Sequence, residues 1–162
     1  MYKQKGFTLI ELIIVIVILG ILAVTAAPRF FDFTKAARIS SLNGLKSTMV
    51  SAANMINARA VIEGKLNSII ADNVYVEGVH LVYSYPTATP EGILKAVELQ
   101  KSISLIDNDE WVYHHAPGVI YITHASFKKE GTAIQAIDCY AFYVAAESLG
   151  GSPRVGAHTN HC

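Results

Sequence analysis

GFTLIELIIVIVILGILAVTAAP, Gly6 to Pro28, decides how the rest of the chain is read. Phe7 to Ala27 is a run of twenty-one residues in which Glu11 is the single charge. At 1.5 Å per residue this makes about 31 Å of helix, enough to cross a hydrocarbon core of roughly 30 Å. A buried helix of a water-soluble protein rarely runs that far without charged punctuation, so the stretch reads as membrane-spanning. Lys3 and Lys5 precede it, which by the positive-inside rule puts the short leader in the cytoplasm and the remainder across the membrane. The run is too long for the apolar core of a secretory signal and no small-residue cleavage site closes it. It is therefore expected to stay in the product.

Glu11 needs an explanation. A carboxylate inside a spanning helix costs on the order of 2–3 kcal/mol near the bilayer centre and less toward the interface. No basic side chain lies within helical reach of it. A cut after Gly6 would create a partner, because the new α-amine of Phe7 stands one helical turn from Glu11. The two charges could neutralise each other within one chain or between neighbouring chains.

A short basic leader ending in Gly6, then FTLIEL, then an unbroken apolar run with Pro28 near its end resembles the N-terminus of type IV pilins. The motif GFTLIEL resembles that of the type IVa class, and LGILAVTAAPRF is most similar to the mannose-sensitive haemagglutinin pilin group. The resemblance implies cleavage between Gly6 and Phe7 by a prepilin peptidase, N-methylation of the Phe7 amine, and a role for Glu11 in docking a subunit in register. It implies a homo-oligomeric helical filament, inner-membrane pilus assembly machinery as a partner, and a role in surface adhesion with a surface or glycan receptor. The chain would wait in the inner membrane, leader cytoplasmic and head periplasmic, before joining an extracellular pilus. Packing of the Phe7–Ala27 helices would form the fibre core.

Gly20 and Pro28 are the weak points of this helix. Gly is about 1 kcal/mol poorer than Ala in a helix, and Pro28 cannot donate a hydrogen bond to Val24. One reading is a mild kink in a spanning helix. The resemblance implies a second, in which the segment between them extends as the subunit leaves the bilayer.

The chain has 162 residues, room for one globular domain beyond the N-terminal segment. At 52% hydrophobic and 16% charged it is not a disordered composition. Lys and Arg number 13 against 13 Asp and Glu, and loss of the leader would remove Lys3 and Lys5. A mature chain near neutrality has no electrostatic footprint for nucleic acid. Lys128-Lys129, the one basic pair after the helix, reads as a solvated turn. Cys139 and Cys162 suit the oxidising compartment the topology predicts. A disulfide between them would close a loop of about 24 residues, worth roughly 3 kcal/mol in chain entropy. Two free thiols are the alternative.

After Pro28 the pattern becomes amphipathic. Leu42, Leu45, Met49, Ala53, Ile56 and Ala60 recur at helical spacing, led in by Ile39. Lys35, Arg38, Ser41, Lys46, Ser51 and Asn57 are read as the opposite, solvated face. The helix is expected to continue to Arg59–Ile62 and to stop at Glu63-Gly64. The organisation is thus a leader over 1–6, a membrane or filament-core helix over 7–28, its amphipathic continuation over 29–62 and a β-rich head over 63–162.

Within the head, Lys65 to Gly78 reads as a loop with at most one short strand, and Val79–Tyr83 as a strand. Thr89-Pro90-Glu91 is a helix start, with cap, proline and acid in order, and the helix should reach about Leu99. Trp111–His114 and Val119–Thr123 flank Ala116-Pro117-Gly118 as a hairpin, and Lys128–Thr132 is a turn. Cys139–Val144 is a further strand with Tyr140 and Phe142 on one face. Gly150-Gly151-Ser152-Pro153 opens an irregular tail. The fold class is α+β, the type IV pilin fold, with the amphipathic half of the long helix packed on a small antiparallel sheet of three or four strands.

No catalytic constellation emerges. His114-His115 with His124, and His158 with His161 and Cys162, are the two clusters with ligand chemistry, but solvated or hydrogen-bonded histidines explain both. Asp107-Asn108-Asp109-Glu110 lacks the glycine and distal acid of a calcium loop. No phosphate-cradling glycine loop is present, Cys139 has no assignable base, and Trp111 reads as packing rather than a sugar platform. No enzyme, cofactor or metal is expected. Two other functions share these features. A pseudopilin of a type II secretion system has the same N-terminus, although such subunits typically carry a calcium-binding C-terminal region rather than a terminal disulfide. A minor pilin or adhesin that binds glycans is the other.

Overall fold

The computed structural model describes residues 6–99, 110–127 and 134–162. Residues 1–5 with Lys3 and Lys5, the acidic run Asp107-Asn108-Asp109 and the turn expected over Lys128–Thr132 lie outside the described residues. The chain forms two units, Met1–Ala37 and Arg38–Cys162, and one helix, α1 (Leu9–Ile62), contributes to both.

In the first unit, the backbone stays helical through Gly20 and Pro28. Its 19-residue stretch Leu9–Ala27 is long and apolar enough to cross a membrane, and none of it is buried. Beyond it Phe30 and Phe33 are also exposed. Such a surface suits lipid or other apolar helices around it.

In the second unit, the amphipathic stripe is buried as its spacing requires: Leu42, Leu45, Met49, Ala53, Ile56 and Ala60 all lie in the core. α1 ends where Gly64 turns left-handed at φ 70°. There Lys65 N–H donates to the Ala60 carbonyl at 2.8 Å and Gly64 N–H to Val61 at 3.1 Å, which satisfies carbonyls left over by the last turn.

Two antiparallel sheets follow, where the sequence suggested one. The first is a meander of β1 (Tyr75–Val76), β2 (Val79–Val82) and β3 (Tyr85–Pro86). The second takes β4 (Trp111–Ala116), β5 (Val119–His124), β6 (Tyr140–Val144) and β7 (Arg154–His158) in sequence order. Alternation along β5 and β6 sends Ile120, Ile122, Ala141 and Tyr143 into a core shared with Leu42, Leu45, Met49, Ala53, Ile93 and Leu94. A second cluster joins Ile56 and Ala60 to Val76, Val79 and Leu81 of the meander. The architecture is α+β, a long helix whose second part packs on antiparallel strands.

Four expectations need correction. The tail after Gly150 is not irregular, because β7 pairs along its whole length with β6, from Tyr140↔His158 to Val144↔Arg154. The helix from Pro90 does not run regularly to Leu99. It is a wide π-type turn, Pro90–Leu94, broken at Gly92 (φ −94°, ψ −106°), with Thr89 Oγ1 accepting from Gly92 N–H at 3.1 Å. Asn57 is not a solvated residue: its Nδ2 donates to Ser84 Oγ at 2.7 Å, tying α1 to the β2–β3 turn. Arg38, also assigned to the wet face, lays its guanidinium 4.8 Å from the centre of the Phe127 ring.

Among the described residues Tyr143 is the largest fully buried side chain, and its hydroxyl donates to the Pro86 carbonyl at 2.8 Å. Burial, reinforced by nearby Tyr85, pushes its phenol well above the ordinary range. A folded-state value raised above the unfolded one gives stability that is complete below the unfolded value and lost above it. The denaturation midpoint should therefore be flat toward pH 10 and fall beyond it as unfolded tyrosines ionise. Tyr143→Phe should shrink that alkaline slope and cost about 1–2 kcal/mol at neutral pH by stranding the Pro86 carbonyl. Urea titrations between pH 8 and 11 measure both, and an unchanged slope would refute the assignment.

Candidate functional site

The residues singled out by the sequence gather at the start of α1. Gly6, Phe7 and Thr8 precede the helix in non-helical conformation, and Gly6 and Phe7 are exposed. A Cβ added at Gly6 would meet nothing within 4 Å. Glu11 stands in the first turn, where the helix dipole favours a negative charge.

The structure gives Glu11 a partner that the sequence reading missed. Thr8 N–H and Thr8 Oγ1–H both donate to Glu11 Oε2, at 2.8 and 2.7 Å. In return Glu11 N–H lies 3.4 Å from Thr8 Oγ1. This is a capping box, Thr8 at the cap and Glu11 three residues on, satisfying donors that the helix start leaves unpaired. The signal was in the sequence, as Thr-x-x-Glu before an apolar run. The Phe7 amine invoked as a partner exists only after a cut at Gly6.

Gly20 lies mid-helix with open space where a Cβ would be, and Pro28 lies within the helix. Neither is brought near Glu11 by the fold of the first unit.

The second unit holds the other residues. Cys139 and Cys162 form a disulfide. Around it the carboxylate of Asp138, whose backbone is left-handed at φ 53°, faces His158 Nδ1 at 3.3 Å and His161 Nδ1 at 3.5 Å. Asn160 Nδ2 donates to the same carboxylate at 2.8 Å. His158 and His161 thus both lie beside the Asp138 carboxylate, next to the disulfide. His114 and His115 are exposed on β4, while His124 shares a hydrogen bond of 3.0 Å with Ser126. Among the described residues no group of three or more His, Cys, Asp or Glu is placed to hold a metal. Trp111 is half-buried against the core.

Residues 1–27 match the family model for the Prokaryotic N-terminal methylation motif. The N-terminal segment is similar to that of type IV pilins. Relatives bear names of the same kind. The chain is 45% identical over 69 residues to a fimbrial protein of Moraxella nonliquefaciens, covering 40% of this chain and 44% of that protein. It is 45% identical over 58 residues to the type IV narrow pilus major component PilA5 of Thermus thermophilus, covering 36% and 50%. It is 62% identical over 37 residues to the type IV major pilin protein PilE1 of Neisseria gonorrhoeae, covering 23% and 22%. The matched stretch thus spans half or less of each relative. No solved structure gives a significant match. The resemblance to type IV pilins drawn from GFTLIEL is therefore supported from outside the motif's own chemistry, and the head stands on its own structure.

Proposed function

We propose that this chain is a structural subunit of an extracellular type IV pilus, not an enzyme. It would be cut between Gly6 and Phe7, methylated on the Phe7 amine by a prepilin peptidase/methyltransferase, and held in the inner membrane by Leu9–Ala27 until the pilus assembly machinery adds it to a helical homo-oligomer. The observation that carries this reading is a wholly uncovered apolar helix with one carboxylate in its first turn. Copies of the same helix can cover that surface, and an amine at the cut end can neutralise that charge. Gly20 and Pro28 would let the segment between them extend during this transfer. The mannose-sensitive haemagglutinin type, with surface adhesion as its task, is the finer assignment, supported by LGILAVTAAPRF.

Shearing cells separates the readings. Processed protein in the sheared filament fraction is the expected result. Processed protein confined to membranes would instead favour the pseudopilin, and receptor binding by the head with no filament would favour an adhesin.

A further inference from the structure

Ala23, Ala26, Ala27, Arg29, Phe30 and Phe33 of α1 line a shallow apolar recess of about 520 Å³ at the C-terminal end of the span. The three alanines offer only methyl groups beside two exposed phenyl rings, and Arg29, also exposed, falls between them in sequence. We propose that this recess takes an anionic phospholipid, with an acyl chain against Ala23 and Ala26 and the headgroup phosphate on the Arg29 guanidinium. The inference rests on Leu9–Ala27 being a membrane span, as in the pilus reading, and adds the class of lipid that its C-terminal edge recognises.

Depth in the bilayer favours this occupant. Helical rise puts Arg29 roughly 3 Å, Phe30 roughly 4.5 Å and Phe33 roughly 9 Å past Ala27. The polar layer on each side of the hydrocarbon core is about 5–8 Å deep. A span ending at Ala27 therefore sets Arg29 and Phe30 inside that layer and Phe33 at its outer edge. Phenyl rings are at home on this boundary. The apolar stem of arginine can lie along the helix while its head reaches the phosphates, and the guanidinium fork matches two phosphate oxygens. Charge selects the lipid class. From Arg29 to Lys35 the sequence holds two bases, Arg29 and Lys35, against one acid, Asp32. A basic surplus at the membrane surface favours an anionic headgroup over a zwitterionic one.

The test uses full-length chain reconstituted in bilayers of phosphatidylglycerol and phosphatidylcholine in equal parts. In solid-state NMR, isotope-labelled guanidinium nitrogen should be dephased by lipid phosphorus in the wild type, and Arg29→Gln should abolish that contact. Spin-labelled lipids should show phosphatidylglycerol enriched beside the wild-type chain. Arg29→Gln should roughly halve that enrichment, and Arg29→Lys should keep most of it because the charge remains. Lys3 and Lys5 are common to all three chains, so the difference belongs to Arg29. A guanidinium without phosphate contact, or an enrichment indifferent to Arg29→Gln, would overturn the proposal. Chain that carbonate strips from the bilayer would overturn the span on which it rests. Neither readout depends on filaments, so failure of pilus assembly would leave the lipid site standing.

Discussion

Glu11→Ala should insert into the membrane and lose its leader like the wild type, yet yield about a hundredfold less sheared filament, or none. Lipid tails are as apolar as Leu and Ile, so moving the helix Leu9–Ala27 from bilayer to fibre core gains little from the hydrophobic effect alone. Close packing of the helices contributes in many registers. The single charge of the span, Glu11, is the feature proposed to mark one axial position. Opposing an amine to the carboxylate relieves a cost on the order of 2–3 kcal/mol near the bilayer centre and less toward the interface, so a hundredfold is the upper end of the expected scale. Glu11→Ala removes both the cost and the register signal, and it also removes the capping partner of Thr8. The measurement is the ratio of sheared to membrane-held processed subunit. Wild-type amounts of sheared filament from this variant would remove Glu11 from the assembly mechanism.

Gly92→Ala is the second large effect, and it acts on the head. A Cβ at Gly92 would collide with the carbonyl oxygen and hydroxyl of Thr87. Thr87 cannot retreat cheaply. Its carbonyl accepts from Ile93 N–H at 2.9 Å and its own N–H donates to His80 at 2.9 Å, while its hydroxyl meets Thr89 Oγ1 at 2.8 Å. Ile93 and Leu94, the next two residues, are buried in the main core, so any shift travels into packed side chains. Overpacking against pinned backbone should cost about 3 kcal/mol or more. Denaturant unfolding of full-length chain in detergent reads this, with Gly44→Ala as control, since a Cβ there meets nothing within 4 Å. A Gly92→Ala midpoint equal to that control would contradict the packing described.

The helical half of the fold was legible because its signal is periodic. Leu42 through Ala60 announce one buried stripe at 3.6-residue spacing, and no tertiary contact is needed to see it. The hairpin of β4 and β5 was legible through Pro117-Gly118, with Gly118 left-handed at φ 74°. The β2–β3 turn was not. Its two residues, Tyr83 and Ser84, are both left-handed at φ 48° and 69°, where glycine or asparagine is usual. Contacts distant in sequence hold them there: Tyr83 N–H donates to Ser68 at 2.6 Å, and Asn57 reaches Ser84 from α1. β7 was hidden for a related reason. Arg154–His158 is short, includes Gly156 and follows Gly150–Pro153, so local pattern reads as loop, whereas pairing to β6 makes it a strand. At the candidate site, Gly6, Phe7 and Glu11 were visible as a motif. Thr8 carries no charge, and its part in the site is a hydrogen-bonded cap on Glu11 that emerges only with the geometry of the helix start.

Intact-mass analysis of protein sheared from cells tests the central claim most directly. The account predicts the mass of residues 7–162 plus one methyl group and minus two hydrogens, which reports cleavage, methylation, disulfide and export in a single number. A sheared protein that retained residues 1–6 would contradict it, since the Phe7 amine that Glu11 is proposed to meet would never have been made.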